Sequence, residues 1–71
     1  MERLYDRVSA RLQKMGMSWS ELEDLIEKKT GIFVGDGYIK NQIKNGRRIS
    51  RVKFRAMAEI VGKEIVYQEN L

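Results

Sequence analysis

The sequence predicts a compact all-α domain of four to five short helices, with a short strand near its C-terminus. Three observations support this. Apolar residues recur at three- and four-residue spacing, helix start and stop signals punctuate the chain, and no proline interrupts it among 71 residues. A chain of this length is one domain, 1–71. Its 42% hydrophobic content is enough for a core, although a domain so small buries only about 60% of the surface its unfolded chain exposes.

In the first segment, "ERLYDRVSARLQKMG", Leu4, Val8, Leu12 and Met15 fall at helical spacing, and Gly16 closes it as a C-cap. A second start follows at once. Ser18 and Glu21 have the spacing of a capping box, with Met17 and Leu22 placed as a hydrophobic staple. This helix is expected to bury Leu22, Leu25 and Ile26, run to about Thr30 and stop at Gly31. "GIFVGDG" is the one connector of any length, and its Ile32, Phe33 and Val34 are expected to bury something or form a short extended piece. A third helix, about 36–45, carries Ile39 and Ile43 four apart and ends at Asn45-Gly46. Ser50 starts a fourth, with Ile49 and Phe54 as another staple and Lys53 where a capping box would want Glu. Phe54, Met57, Ala58 and Val61 form its inner stripe and Gly62 ends it. "KEIVYQ" is β-branched and aromatic, so Glu64 to Gln68 is read as the strand.

Composition narrows the chemistry. The chain has no cysteine and no histidine, which removes disulfides, thiol nucleophiles and the commonest general base and metal ligand. No cofactor or metal is expected, and an enzyme would have to rely on carboxylates or lysine. Glu21, Glu23, Asp24 and Glu27 read instead as caps and a solvated face of the second helix. No apolar run approaches the roughly 20 residues that span a bilayer, and "MERLYDRV" is too charged for a signal peptide, so a cytoplasmic protein is expected.

Charge is distributed unevenly. From Gly37 to Ala58 there are seven Lys or Arg (Lys40, Lys44, Arg47, Arg48, Arg51, Lys53, Arg55) and no Asp or Glu. The remainder holds seven basic and ten acidic residues, so all the excess of the +4 chain lies in this window. A charged outer helix face is usually just a solvated surface. Salt-bridged surface helices, however, interleave both signs, and 22 residues without an acid do not. With Ile39 and Ile43 inward, Asn41 lies opposite them, flanked by Gly37, Tyr38, Lys44 and Asn45, with Lys40 and Gln42 at the sides. Asparagine can read adenine through a paired donor and acceptor in the major groove, and lysine reaches guanine acceptors or phosphate.

From Val8 to Gly62 the chain resembles the phage-repressor (Cro/lambda-repressor-like, Xre-type) helix-turn-helix family. The resemblance rests on "MSWSELEDLIEKKTG", on "YIKNQIKNGRR" as recognition helix and exit, and on "ISRVKFRAMAEIVG". It departs from the family's pattern in a connector two or three residues longer, in core isoleucines spaced by four, and in Trp19 where glutamine is frequent. It implies a small regulator binding double-stranded DNA sequence-specifically and repressing by covering a promoter, of the kind found on phages and mobile elements. No inducer pocket or small-molecule ligand is evident. Tyr38, Lys40 and Asn41 would face bases, while Lys44, Asn45, Arg47, Arg48 and Arg51 would contact the DNA backbone, with Ser18 or Trp19. For Trp19 the alternative is burial against the first helix or the connector, and for Tyr38 it is packing across the connector. Lys53 and Arg55 read as solubility charges. A homodimer is expected, either through pairing of Glu64–Gln68 with its copy or with that segment folded back over the first and fourth helices. Two rival functions share these features. One is a protein-binding phage module, an anti-repressor or inhibitor of a host nuclease or polymerase. The other is RNA binding, for which exposed stacking aromatics are few.

Overall fold

The structure, a computed structural model, describes residues 3–67. Five helices follow one another: α1 Leu4–Met15, α2 Trp19–Thr30, α3 Tyr38–Lys44, α4 Arg51–Val61 and α5 Lys63–Val66. Several boundaries have a local chemical cause. Gly16 closes α1 and donates its N–H to Gln13 and Leu12 carbonyls. The Ser18 capping box is complete: its hydroxyl accepts from Glu21 N–H at 3.1 Å, and the Glu21 carboxylate accepts from Ser18 N–H at 3.1 Å. Ser50 caps α4 from one side only, accepting from Lys53 N–H at 3.3 Å. The acid that would answer it is absent, as Lys53 implies.

The core is drawn from every element. Val8 and Leu12 of α1, Leu22 and Ile26 of α2, Ile39 and Ile43 of α3, Ala56, Met57, Ala58 and Val61 of α4 and Val66 of α5 are all buried, joined by Val34 of the connector. Helix α4 packs chiefly on α2 and α5, while α1 is covered by α5, α3 and α4. The radius of gyration is 11.3 Å, the size expected for a close-packed chain of this length (about 11 Å). Among the described residues no helix is long and apolar enough to cross a membrane.

Several expectations are corrected. Lys63–Val66 is a helical turn rather than part of a strand, and there is no strand among the described residues. The β-rich composition loses to packing. Val66 enters the core, Ile65 packs against it, and the Tyr67 ring meets Phe54 edge-on at 5.6 Å. The backbone is also consumed, because Tyr67 N–H donates to Lys63 O at 2.8 Å and Ile65 O accepts from Arg7 Nε at 2.8 Å. Residues 64–67 thus take the other expected course, folded back over α1 and α4, and Gln68 lies outside the described residues. Leu25 and Met15 are exposed, as are Ile32 and Phe33, so of the connector's apolar side chains Val34 is the one that enters the core. Helix α3 starts two residues later than expected, after Gly37. That residue's φ of 77° lies in the left-handed region that side chains disfavour.

Glu23 is the largest departure. Far from lying on a solvated face, it is 3% exposed. Its Oε1 accepts from Gly37 N–H at 2.8 Å and its Oε2 from Lys40 N–H at 3.1 Å. Glu27 Oε1 accepts from Val34 N–H at 2.9 Å. Two carboxylates of α2 thus grip the connector and the start of α3.

Candidate nucleic-acid interface

Two isoleucines and one carboxylate hold α3. Ile39 is fully buried and Ile43 nearly so, fixing its inner side, while Glu23 satisfies backbone donors at its first turn. Those donors have no partner within a helix, so an external acceptor stabilises them, and a negative one favours the positive end of the helix dipole. Held this way, the helix leaves Asn41, Lys44 and Asn45 exposed, Tyr38 41% exposed and Lys40 half-buried. Gly37 is required by its φ of 77° rather than by crowding, since a β-carbon there would meet Asn41 Nδ2 only at an ordinary 3.5 Å.

The expected contact residues gather at the two ends of α3. At its start lie Tyr38, Lys40 and Asn41. Lys53 reaches over from α4 with Nζ 5.1 Å from the Tyr38 ring centroid, a cation–π contact that places a further ammonium in the patch. Lys40 also shares a depression with Ser18 and Ser20 at the beginning of α2, with Glu23 at its base. At the exit, Arg47 and Arg48 rim a hollow of about 500 Å³ floored by Leu4, Ile43, Ile49 and Phe54. Arg3 joins them there and donates from Nη2 to the Lys44 carbonyl. The exit strand of backbone is tied to α3: Arg47 N–H donates to Gln42 O at 2.8 Å, and Gln42 Nε2 donates to Arg48 O at 3.0 Å. Arg51, the first residue of α4, is exposed. Among the described residues, none of Lys40, Lys44, Arg47, Arg48 or Arg51 is engaged in an ion pair. The pairs present, Arg11–Glu64 at 3.0 Å and Lys29–Glu59 at 3.2 Å, brace α1 to α5 and α2 to α4.

Trp19 is corrected. Its indole stacks on Tyr5 with centroids 5.4 Å apart and planes 5° from parallel, and its Nε1–H donates to Ser9 Oγ at 3.2 Å. The indole N–H is engaged on α1, so Trp19 fastens α2 to α1.

Sequence reasoning missed Arg3, Lys53 and Glu23. Helical spacing does not distinguish Glu23 from Leu25, which flank the Leu22–Ile26 stripe on either side; Glu23 is the one buried because the connector and the start of α3 cover its side. Lys53 gave no signal, because its place beside Tyr38 depends on how α4 crosses α3. No family model, curated protein or solved structure matches the chain.

Proposed function

We propose that the chain binds double-stranded DNA sequence-specifically, with α2 and α3 acting as a helix-turn-helix and α3 entering the major groove. In this reading Asn41, Lys40 and Tyr38 face base edges, and Lys44, Asn45, Arg47, Arg48 and Arg51 meet phosphates on either side. Arg3 and Lys53 join the phosphate set. One observation carries the reading: α3 is fixed by its buried isoleucines and by Glu23, so that its Asn and Lys side meets solvent within a stretch of chain, 37–58, that holds seven Lys or Arg and no acid. A module of this size covers only ~600–1,000 Å² of DNA, which seldom suffices for strong specificity. Two copies on half-sites about 34–36 Å apart would supply the rest. Such a protein represses by occluding a promoter, in the manner of small regulators of phages and mobile elements.

The test is a binding titration on duplex selected from a random pool, at two salt concentrations, with the native chain, Asn41→Ala and Arg48→Ala. Asn41→Ala is expected to relax preference at one base position at a cost of about 1–3 kcal/mol. Arg48→Ala is expected to weaken all duplexes alike and lower the log–log salt slope by about 0.9. If Arg48→Ala changes neither affinity nor slope, the phosphate assignment is wrong. If no duplex shifts at low salt, the whole reading fails.

A further inference from the structure

Phe33 is 77% exposed, more than any other large apolar side chain among the described residues. The fold does not need it there, because the connector is anchored through its buried neighbour Val34. Nor is the segment around it loose. Ile32 N–H donates to Thr30 Oγ1 at 3.2 Å, and Val34 N–H donates to Glu27 Oε1 at 2.9 Å, so Phe33 projects from a stretch held on both sides.

Its ring lies at the beginning of α3. A β-carbon added to Gly35 would stand 3.9 Å from Phe33 Cε2 and 3.8 Å from Tyr38 Cβ. Gly35 is therefore the gap between two aromatic residues, and Tyr38 in turn carries the Lys53 ammonium over its ring. Phe33 thus extends the edge of the cationic patch with an apolar surface. A major groove offers such a surface one apolar target, the C5-methyl group of thymine. We infer that Phe33 is a specificity-determining residue, packing its ring on a thymine methyl at the edge of the half-site next to the bases faced by Tyr38 and Asn41. The inference rests on the DNA-binding reading above.

The experiment separates the two. Duplexes are selected from a random pool with the native chain and with Phe33→Ala, and thermal unfolding and sedimentation are run on both proteins. Since the ring is exposed, Phe33→Ala is expected to melt with the native chain. The native chain is expected to enrich a thymine at one flanking position of each half-site, and the variant to keep the rest of the motif but lose that thymine. Replacing that thymine with deoxyuridine deletes only the methyl group. It is expected to weaken native binding about fourfold, the worth of one buried carbon, and to leave the variant unaffected.

A variant that still selects the thymine, or native binding indifferent to deoxyuridine, overturns the inference while the retained motif leaves DNA binding standing. A native chain that associates through Phe33, seen as a lower sedimenting mass for Phe33→Ala without DNA, also overturns it. Failure of both proteins to enrich any duplex removes both readings.

Discussion

A side chain 3% exposed that accepts N–H groups from residues 37 and 40 does more than fill space. Removing the Glu23 carboxylate leaves two part-buried backbone donors without a partner, and hydrogen bonds to charged groups are worth about 1.5–3 kcal/mol. Glu23→Ala is therefore expected to lower stability by about 2–3 kcal/mol in urea unfolding. Glu23→Gln, which keeps one acceptor oxygen, should lose clearly less. If the two substitutions are equal and small, the carboxylate is not what holds α3. This residue also shows where sequence reading stops. The apolar stripes that form the core were legible because Val8, Leu12, Leu22, Ile26, Ile39 and Ile43 lie on helical periods. The partners of Glu23 lie fourteen and seventeen residues away across a turn, and no local pattern encodes that meeting. Trp19 was left between two places for the same reason, since it is Tyr5 and Ser9 of another helix that claim it.

The elements divide according to how much of their boundary is local. Helix α2 starts with a reciprocal box, whereas α4 starts with Ser50 alone and a longer bond. Ser18→Ala is expected to cost about 1 kcal/mol and Ser50→Ala less, measured as shifts of the urea midpoint. Equal losses would mean that Glu21 adds nothing. Helix α5 is the element that local preference misassigned. Four residues, among them the β-branched Ile65 and Val66, became a helical turn because Gly62, with φ at 118°, redirects the chain onto α1 and α4. A β-carbon at Gly62 would come within 2.6 Å of Glu64 Oε1, the residue paired with Arg11. Val66→Ala tests that docking. It is expected to destabilise the domain by about 2 kcal/mol, the transfer value of the methyl groups removed, without altering sedimentation mass. A change in mass with no change in stability would restore an intermolecular role for this segment.

At the scale of the molecule, a chain of +4 places its excess charge around one helix and braces the opposite elements with ion pairs. If four to six phosphates are neutralised, log affinity falls against log salt with a slope near −3.5 to −5.5, at about −0.9 for each contact. A slope shallower than −2 would mean that the exit arginines stay in solvent. The fold itself was largely legible in the sequence, as helix order and caps; the candidate surface was legible in part. Its Asn and Lys face follows from periodicity, whereas Arg3 and Lys53 join it only through tertiary crossing. The grip of α2 on its neighbour has an evolutionary corollary. Because two glutamates set where α3 sits, the span between Gly31 and Phe33 is released from doing so. Residues inserted there would lengthen the tip while α3 kept its place against α2, so the length of the connector is free to vary without disturbing the helix that follows it.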